Sequence, residues 1–405
     1  MGVRRRHADR GTRWWGITLL ATGGLAALTA FAIAGLALVV ARTVVTPPRR
    51  RAEGTRVIAV DIAGGTVTLE SNVDSRLRGD YGFWFAGGNG YARIGDILAS
   101  TALTVTRQIT DIEFGDLSLA TRGRLTGWFY LDPKELDYPF ENIELETELG
   151  PAPAWLIPAE EATNRWVIQV HGRAVRRQET LRAVPVFRAA GFTTLIVSYR
   201  NDGDAPASVD GRYALGDTEW RDVDVAVKHA IEHGATDVVL MGWSMGGSTV
   251  LQELTRSEHS AVIRGVVLES PVIDWVTALR FQVELRRLPG PVGDGVLSII
   301  GRSWGRWLTG QGMPIDLPRL DFVARAEELD APILLMHSDD DGFVPVTASR
   351  ALAAARPDIV RFEAFSLAGH VKLWNYDRVR WTEAIRSWLA DLGLTGDPQA
   401  PSAHN

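Results

Sequence analysis

The sequence predicts an α/β fold, a mostly parallel sheet with helices on both faces, preceded by a transmembrane helix and a small β-rich module. Three observations carry that prediction. A run of 28 residues without charge lies between Arg13 and Arg42. Short β-like runs broken by Gly, Asn and Asp come after it. From about Phe140 onward, continuous apolar runs alternate with helical spacing, as parallel strands covered on both faces require.

Composition sets the outer bounds. The 405 residues fit one large domain with extras or two domains. Hydrophobic content of 46% and charge of 23% are ordinary for a globular chain. A net charge of −6 argues against nucleic acid as a partner. The absence of cysteine excludes disulfides, thiolate metal sites and a cysteine nucleophile. It also fits an exported enzyme.

Residues 1–13 form a short basic tail, and residues 14–41 form the apolar run. A bilayer core needs about 20 apolar residues, so the run is long enough to span with tilt. The apolar region of a cleaved signal peptide would be shorter, about 7–15 residues. Trp14 and Trp15 sit where an aromatic belt would place them. Arg4, Arg5, Arg6, Arg10 and Arg13 precede the run, and Arg42, Arg49, Arg50, Arg51 and Arg56 lie beyond it. The charge rule is therefore balanced. An extracytoplasmic catalytic domain is expected, because long domains translocate largely regardless of flanking charge and the chain lacks cysteine.

Residues 42–55 read as a Pro- and Arg-rich linker. Residues 56–135 read as the β-rich module, with runs such as Val57–Ile62, Thr66–Glu70, Gly82–Phe85 and Leu103–Thr106. "FAGGNG" (Phe85–Gly90) lacks a following GK[ST] and reads as a turn. Residues 136–392 form the α/β domain, with strands at Trp166–Val170, Thr193–Tyr199 and Asp237–Trp243 and within "IRGVVLES" and "APILLMHS". A mostly helical cap at about 275–330 interrupts the alternation. Residues 393–405 read as a disordered tail.

Chemistry centres on "VVLMGWSMGGSTVL" (Val238–Leu251). Ser244 lies in G-x-S-x-G where a strand meets a helix, the context in which that pattern makes a nucleophile elbow. Gly242 and Gly246 are required because a Cβ would clash in so tight a turn, and Gly247 lets the helix approach the sheet. The helix N-terminus beneath the serine favours a developing oxyanion. Of the eight histidines, His337 and His370 remain as candidates for the base; His337 stands at a strand end four residues before Asp341, and His370 in "SLAGH" sits in a loop after an apolar run, where a base could reach Ser244. Asp341, in "HSDDDGFVP", supplies the acid that orients it; Asp339, Asp340 and Glu269 are its competitors. The order Ser…Asp…His is one of the chain orders in which such triads occur. Two backbone N–H groups complete the set, those of Met245 and of Arg173 in the loop "VHGRA". His171 shapes that loop.

Through "HGR" at 171–173, "GWSMGG" at 242–247, "HSDDDGFVP" at 337–345 and "AGH" at 368–370, the sequence resembles the α/β-hydrolase superfamily. It looks most like the membrane-anchored or peripheral serine hydrolases of the serine-aminopeptidase and acyl-lipid hydrolase type. The resemblance covers about Glu141 to Leu392. It implies an eight-stranded sheet with Ser244 as nucleophile, Asp341 as acid and His370 as base, and no metal or organic cofactor. Ser338 departs from the glycine such enzymes often carry. The expectation is a membrane-tethered hydrolase of an ester, thioester or amide, its partners a small or lipid-like acyl substrate and the membrane itself. The alternatives are an acyltransferase using the same triad and a non-catalytic ligand-binding protein of this fold. Arg173, Arg176, Arg177 and Arg182 crowd the oxyanion loop and the residues just after it. They are either a charge lure for an anionic substrate or a solvated, partly paired helix face.

Overall fold

The structure, a computed structural model, describes residues 11–395, with the side chains of the first helix described from Ala27 onward. The basic tail before Gly11 and most of the C-terminal tail therefore lie outside the described residues. Helix α1 (Gly11–Val45) contains the apolar run and continues four residues past its expected end. The chain then crosses residues 46–54 and enters an antiparallel β-domain. Its strands are β1 (Thr55–Asp61), β2 (Thr66–Glu70), β3 (Tyr81–Phe85), β4 (Gly90–Ser100), β5 (Thr104–Phe114) and β6 (Arg122–Thr126).

These six strands close into a barrel in the order β1-β2-β5-β4-β3-β6. Closure leaves no free sheet edge. Val67, Leu69, Tyr81, Phe83, Phe85 and Ile94 fill its interior. One end is plugged by the buried Arg107, whose guanidinium donates to the carbonyls of Ser75, Leu77, Gly79 and Gly95. Four carbonyl dipoles stand in for water around that charge.

The second sheet has eight strands in the order β14-β13-β12-β11-β9-β10-β8-β7. Its first members are β7 (Glu141–Thr147), β8 (Gly150–Ile157) and β9 (Arg165–Val170), succeeded by helix α2 (Val184–Ala189) and β10 (Thr193–Val197). Next come α3 (Trp220–Glu232), β11 (Asp237–Trp243), α4 (Met245–Arg256) and β12 (Ile263–Glu269). The cap consists of α5 (Trp275–Leu285), α6 (Gly290–Gly301) and α7 (Arg306–Thr309). Last come β13 (Ile333–Ser338), α8 (Thr347–Ala355), β14 (Val360–Phe365), α9 (Leu373–Tyr376) and α10 (Arg378–Asp391). Strand β8 pairs antiparallel with both its neighbours, and β9 to β14 run parallel.

Because β9 is flanked by β10 on one side and β11 on the other, the strand order reverses there. Crevices at the carboxyl ends of such strands are where open α/β sheets place ligands. In α10, Trp381, Ile385, Trp388 and Leu389 are buried at the spacing of one helix face.

Helix α1 also packs against the cap. Ala37, Ala41 and Val45 are buried in the main core, and the small residues let the backbones approach: a Cβ on Gly295 of α6 would stand 2.8 Å from that of Ala37. Arg42 Nε donates to Leu308 O at 2.7 Å, and Tyr213 N donates to Val45 O at 2.8 Å. The expected boundary between a 14–41 helix and a 42–55 linker therefore shifts, because the last turns gain tertiary partners on the cap that local sequence cannot reveal.

Candidate active site

Ser244 stands between β11 and α4 with φ 52° and ψ −116°. Left-handed φ is costly for a residue with a Cβ, and the packing on both sides holds it there. A Cβ on Gly242 would come within 2.5 Å of Gly246 O, and one on Gly246 within 2.2 Å of Val170 O. Gly247 faces Pro271, where a Cβ would meet the ring at 2.6 Å. The three glycines thus wedge the elbow between β9 and the segment after β12.

The structure brings together the three side chains that the sequence singled out. His370 Nε2 lies 3.0 Å from Ser244 Oγ, and His370 Nδ1 lies 2.7 Å from Asp341 Oδ2. Asp341 is buried, and its Oδ1 accepts from the N–H groups of Phe343 and Val344 at 2.8 and 2.9 Å. Burial alone would raise its pKa. His370 and His337 overcome that and hold the carboxyl well below the usual range.

Sequence reasoning assigns His337 no part in the site. Its Nε2 lies 3.2 Å from Asp341 Oδ2 and 3.1 Å from Val344 O, while Nδ1 meets Ser349 Oγ at 2.7 Å. It clamps the acid from behind. The i, i+4 spacing to Asp341 at a strand end is visible in the sequence, but it does not say which way the two side chains face.

The other acids are engaged elsewhere. Asp339 pairs with Arg350, and Asp340 accepts from Leu367 N at 2.6 Å. Glu269 is buried between two tryptophans, accepting from Trp243 Nε1 at 2.8 Å and Trp381 Nε1 at 2.9 Å, with Leu373 N at 3.2 Å. Arg182 lies 3.6 Å from its other oxygen.

Both expected oxyanion donors lie beside the serine, Met245 as the first residue of α4 and Arg173 in the loop after β9. Among the described residues neither backbone N–H has a protein acceptor. The loop is braced by His171, whose ring stacks on Tyr199 at 4.2 Å and meets Asp202 Oδ2 at 3.1 Å, and by Tyr199 Oη donating to Gly172 O at 2.7 Å. The Arg173 side chain turns away to α1, donating to the carbonyls of Val44, Thr43 and Thr46 at 2.8, 2.5 and 3.2 Å. These are the orphan carbonyls at the end of a helix. Arg176 and Arg177 pair with Asp204, Arg177 also stacks on Trp155, and Arg182 is buried. These side chains hold the structure together, and they do not form a charge lure.

Ser244 and His370 open onto a cavity of about 600 Å³. Three elements of the chain wall it. The hydrolase loops supply Gly172, Glu179 and Phe343; the segment after α1 supplies Pro48, Arg50 and Arg51; the barrel supplies Arg124 and Leu125 of β6 together with Val73 and Asp74. The barrel is fastened beside the histidine loop by Lys372 Nζ to Asp74 at 2.5 Å, Asn375 Nδ2 to Asp80 O at 2.7 Å and Arg182 Nη1 to Gly127 O at 2.8 Å. No local motif announces that the barrel and the segment after α1 share a wall with the serine.

Comparison with known proteins agrees with this architecture. A model of the alpha/beta hydrolase family matches residues 167–384. A model described as a domain of unknown function, DUF8805, matches residues 56–126, which is the barrel. The esterase Pf2001 of Pyrococcus furiosus is similar in fold, with a TM-score of 0.50 at 17% identity over 64% of this chain and 94% of that one. The esterase RhEst1 from Rhodococcus sp. ECU1013 gives 0.45 at 19% identity, over 62% of this chain and 99% of its own. A search of curated proteins finds no match. The family model spans more than half of the chain, and the chain is a member of the α/β-hydrolase family.

Proposed function

We propose that this hydrolase is a membrane-anchored serine hydrolase that cleaves an ester, thioester or amide through an acyl-enzyme on Ser244. The observation that carries the reading is the continuous hydrogen-bonded chain Ser244–His370–Asp341 at a cavity, beside which the backbone N–H groups of Met245 and Arg173 have no acceptor among the described residues.

With Asp341 ionised, His370 Nδ1–H donates to its carboxylate, which leaves the Nε2 lone pair to accept the Ser244 hydroxyl proton. The freed oxygen attacks the substrate carbonyl, and the N–H groups of Met245 and Arg173 receive the oxyanion. The imidazolium formed at His370 gives its proton to the leaving group. Water then enters along the same path, His370 takes its proton, and the acid leaves. Asp341 orients the ring and offsets the transient positive charge.

Helix α1 supports the anchoring. Ala27–Val45 is long and apolar enough to cross a membrane. Residues 14–36, which precede the part buried on the cap, would extend about 35 Å at 1.5 Å per residue, sufficient for a hydrocarbon core of about 30 Å. Trp304 and Trp307 lie exposed on the cap beside the helix, Trp307 at 80%, as side chains at a membrane–water boundary would. We place the catalytic domain on the extracytoplasmic side.

Fluorophosphonate labelling of the full-length protein tests the serine. Wild type should label at Ser244, and Ser244→Ala should not. A wild type that resists labelling while folded would overturn the reading.

A further inference from the structure

We propose that Arg51 and Arg124 form a subsite in the catalytic cavity for an anionic group, phosphate or carboxylate, carried by the acyl substrate. The inference rests on Ser244 being the nucleophile and adds the chemistry that lies beside it.

Several charged groups at the cavity already have partners. Lys372 is paired with Asp74. The Arg173 guanidinium is spent on the carbonyls that end α1. Asp340 accepts from Leu367 N, whereas the buried Glu179 accepts only from Gly172 N at 3.3 Å and has no ion-pair partner among the described residues. Arg50 is exposed, so water solvates its charge. Two half-buried guanidinium groups remain. Arg51 makes one long hydrogen bond, 3.5 Å to Arg173 O. Arg124 makes no hydrogen bond or ion pair among the described residues; its closest tie is the ring of Trp84, 5.9 Å away. Glu179 favours the charge of both groups and Glu53 that of Arg124, but among the described residues neither carboxylate forms an ion pair with them.

Like charges brought to one half-buried wall without acceptors cost free energy unless a ligand supplies them. Burial, and then the nearby Arg51, push the Arg124 pKa down to about 10, which still leaves it charged at neutral pH. Arginine forks match the oxygens of phosphate and carboxylate. Both residues also line an adjoining cavity of about 570 Å³, so a bulky anionic group has room.

The two arginines come from different elements, and neither belongs to the hydrolase domain. Arg51 sits on the segment after α1, and Pro48 on the same wall is three residues past the helix end, at most about 10 Å of chain. The nine helical residues 37–45 on the cap add about 14 Å, so this cavity wall lies within about 25 Å of the point where the span 14–36 would leave the bilayer. An amphiphile with an anionic headgroup fits that position, and a free anion is the other source of the same chemistry.

Binding separates these cases and does not depend on turnover. Full-length Ser244→Ala in neutral detergent micelles would be titrated with 1-oleoylglycerol 3-phosphate, with 1-oleoylglycerol and with inorganic phosphate alone. The phosphate-bearing lipid should bind at least about tenfold more tightly than the neutral one. Adding Arg51→Gln and Arg124→Gln should bring that ratio to within about threefold of unity, and Arg124→Lys should restore part of it. Inorganic phosphate binding as tightly as the lipid, with the same arginine dependence, would assign the subsite to a free anion. Equal affinity for the two lipids, or a ratio that survives the double substitution, would overturn the proposal. Fluorophosphonate labelling of the wild-type serine is read separately, so a failure of the nucleophile assignment shows itself independently of the subsite.

Discussion

Asp341→Asn is the substitution whose consequence the geometry defines most sharply. Asp341 Oδ1 receives two backbone N–H groups, and Oδ2 faces two imidazole nitrogens. An asparagine here must place its carbonyl toward the backbone donors, because its amide N–H groups cannot face them. The NH2 then points at His370 Nδ1, 2.7 Å away in the wild type. That contact is tolerable only if Nδ1 gives up its proton and Nε2 carries it. The Nε2–H then faces Ser244 Oγ, and the ring has no lone pair for the serine proton.

The fold survives, since the side chain keeps its shape, but the base is in the wrong tautomer. Loss of this kind costs about 10⁴ in kcat for a serine triad, about 5.5 kcal/mol of transition-state stabilisation. The assay is hydrolysis of a short-chain p-nitrophenyl ester by the full-length protein in detergent, with a thermal melt as the folding control. Retention of more than about a tenth of wild-type kcat in a folded Asp341→Asn would refute the reasoning. Glu269→Gln is the matched control. It removes a charge that accepts from two buried indoles and faces Arg182, so it should lower Tm by several degrees and leave kcat within about tenfold.

Gly246→Ala should yield insoluble or inactive protein, because the added Cβ would sit 2.2 Å from Val170 O; expression and labelling check it. Removal of residues 1–54 should lower kcat/KM at least about tenfold, since it strips one cavity wall and leaves the Arg173 guanidinium without its helix carbonyls; ester kinetics of the fragment against the full chain measure it. Glu253 is buried, and burial and then the charge of Asp224 raise its carboxyl pKa to about 9. Its contribution is therefore fully present below the unfolded value near 4.3 and is lost as pH rises toward 9. Glu253→Gln should thus gain in Tm on wild type between pH 5 and pH 8, which paired melts would show. Protease shaving of intact spheroplasts should cleave the catalytic domain, and full protection until the membrane is opened would place it on the cytoplasmic face.

Some of this molecule is written locally. Gly242, Ser244 and Gly246 act within one turn, and a Cβ on Gly242 would clash with Gly246 itself, so the motif and the strand-to-helix change around it are legible together, although the clash at Gly246 comes from Val170 of β9. The sheet is legible in apolar runs that admit no exposed face, and the closing helix in Trp381, Ile385, Trp388 and Leu389. The positions of Asp341 and His370 after their strands are likewise local facts, because loops at the carboxyl ends of parallel strands share one edge of the sheet.

What the tertiary structure alone decided is which groups those residues meet. Asp341 and Glu269 both sit at strand ends and look equivalent in sequence; the difference is that two tryptophans, one of them more than a hundred positions away, close over Glu269. The four arginines near the oxyanion loop read alike as charge, and only packing shows that Arg173 ends a helix while Arg182 is buried. Barrel closure, the seating of α1 on the cap and the approach of Arg51 and Arg124 to Ser244 join segments far apart in the chain. Local periodicity reports how much of a residue is buried, and it carries no label for the distant surface that does the burying.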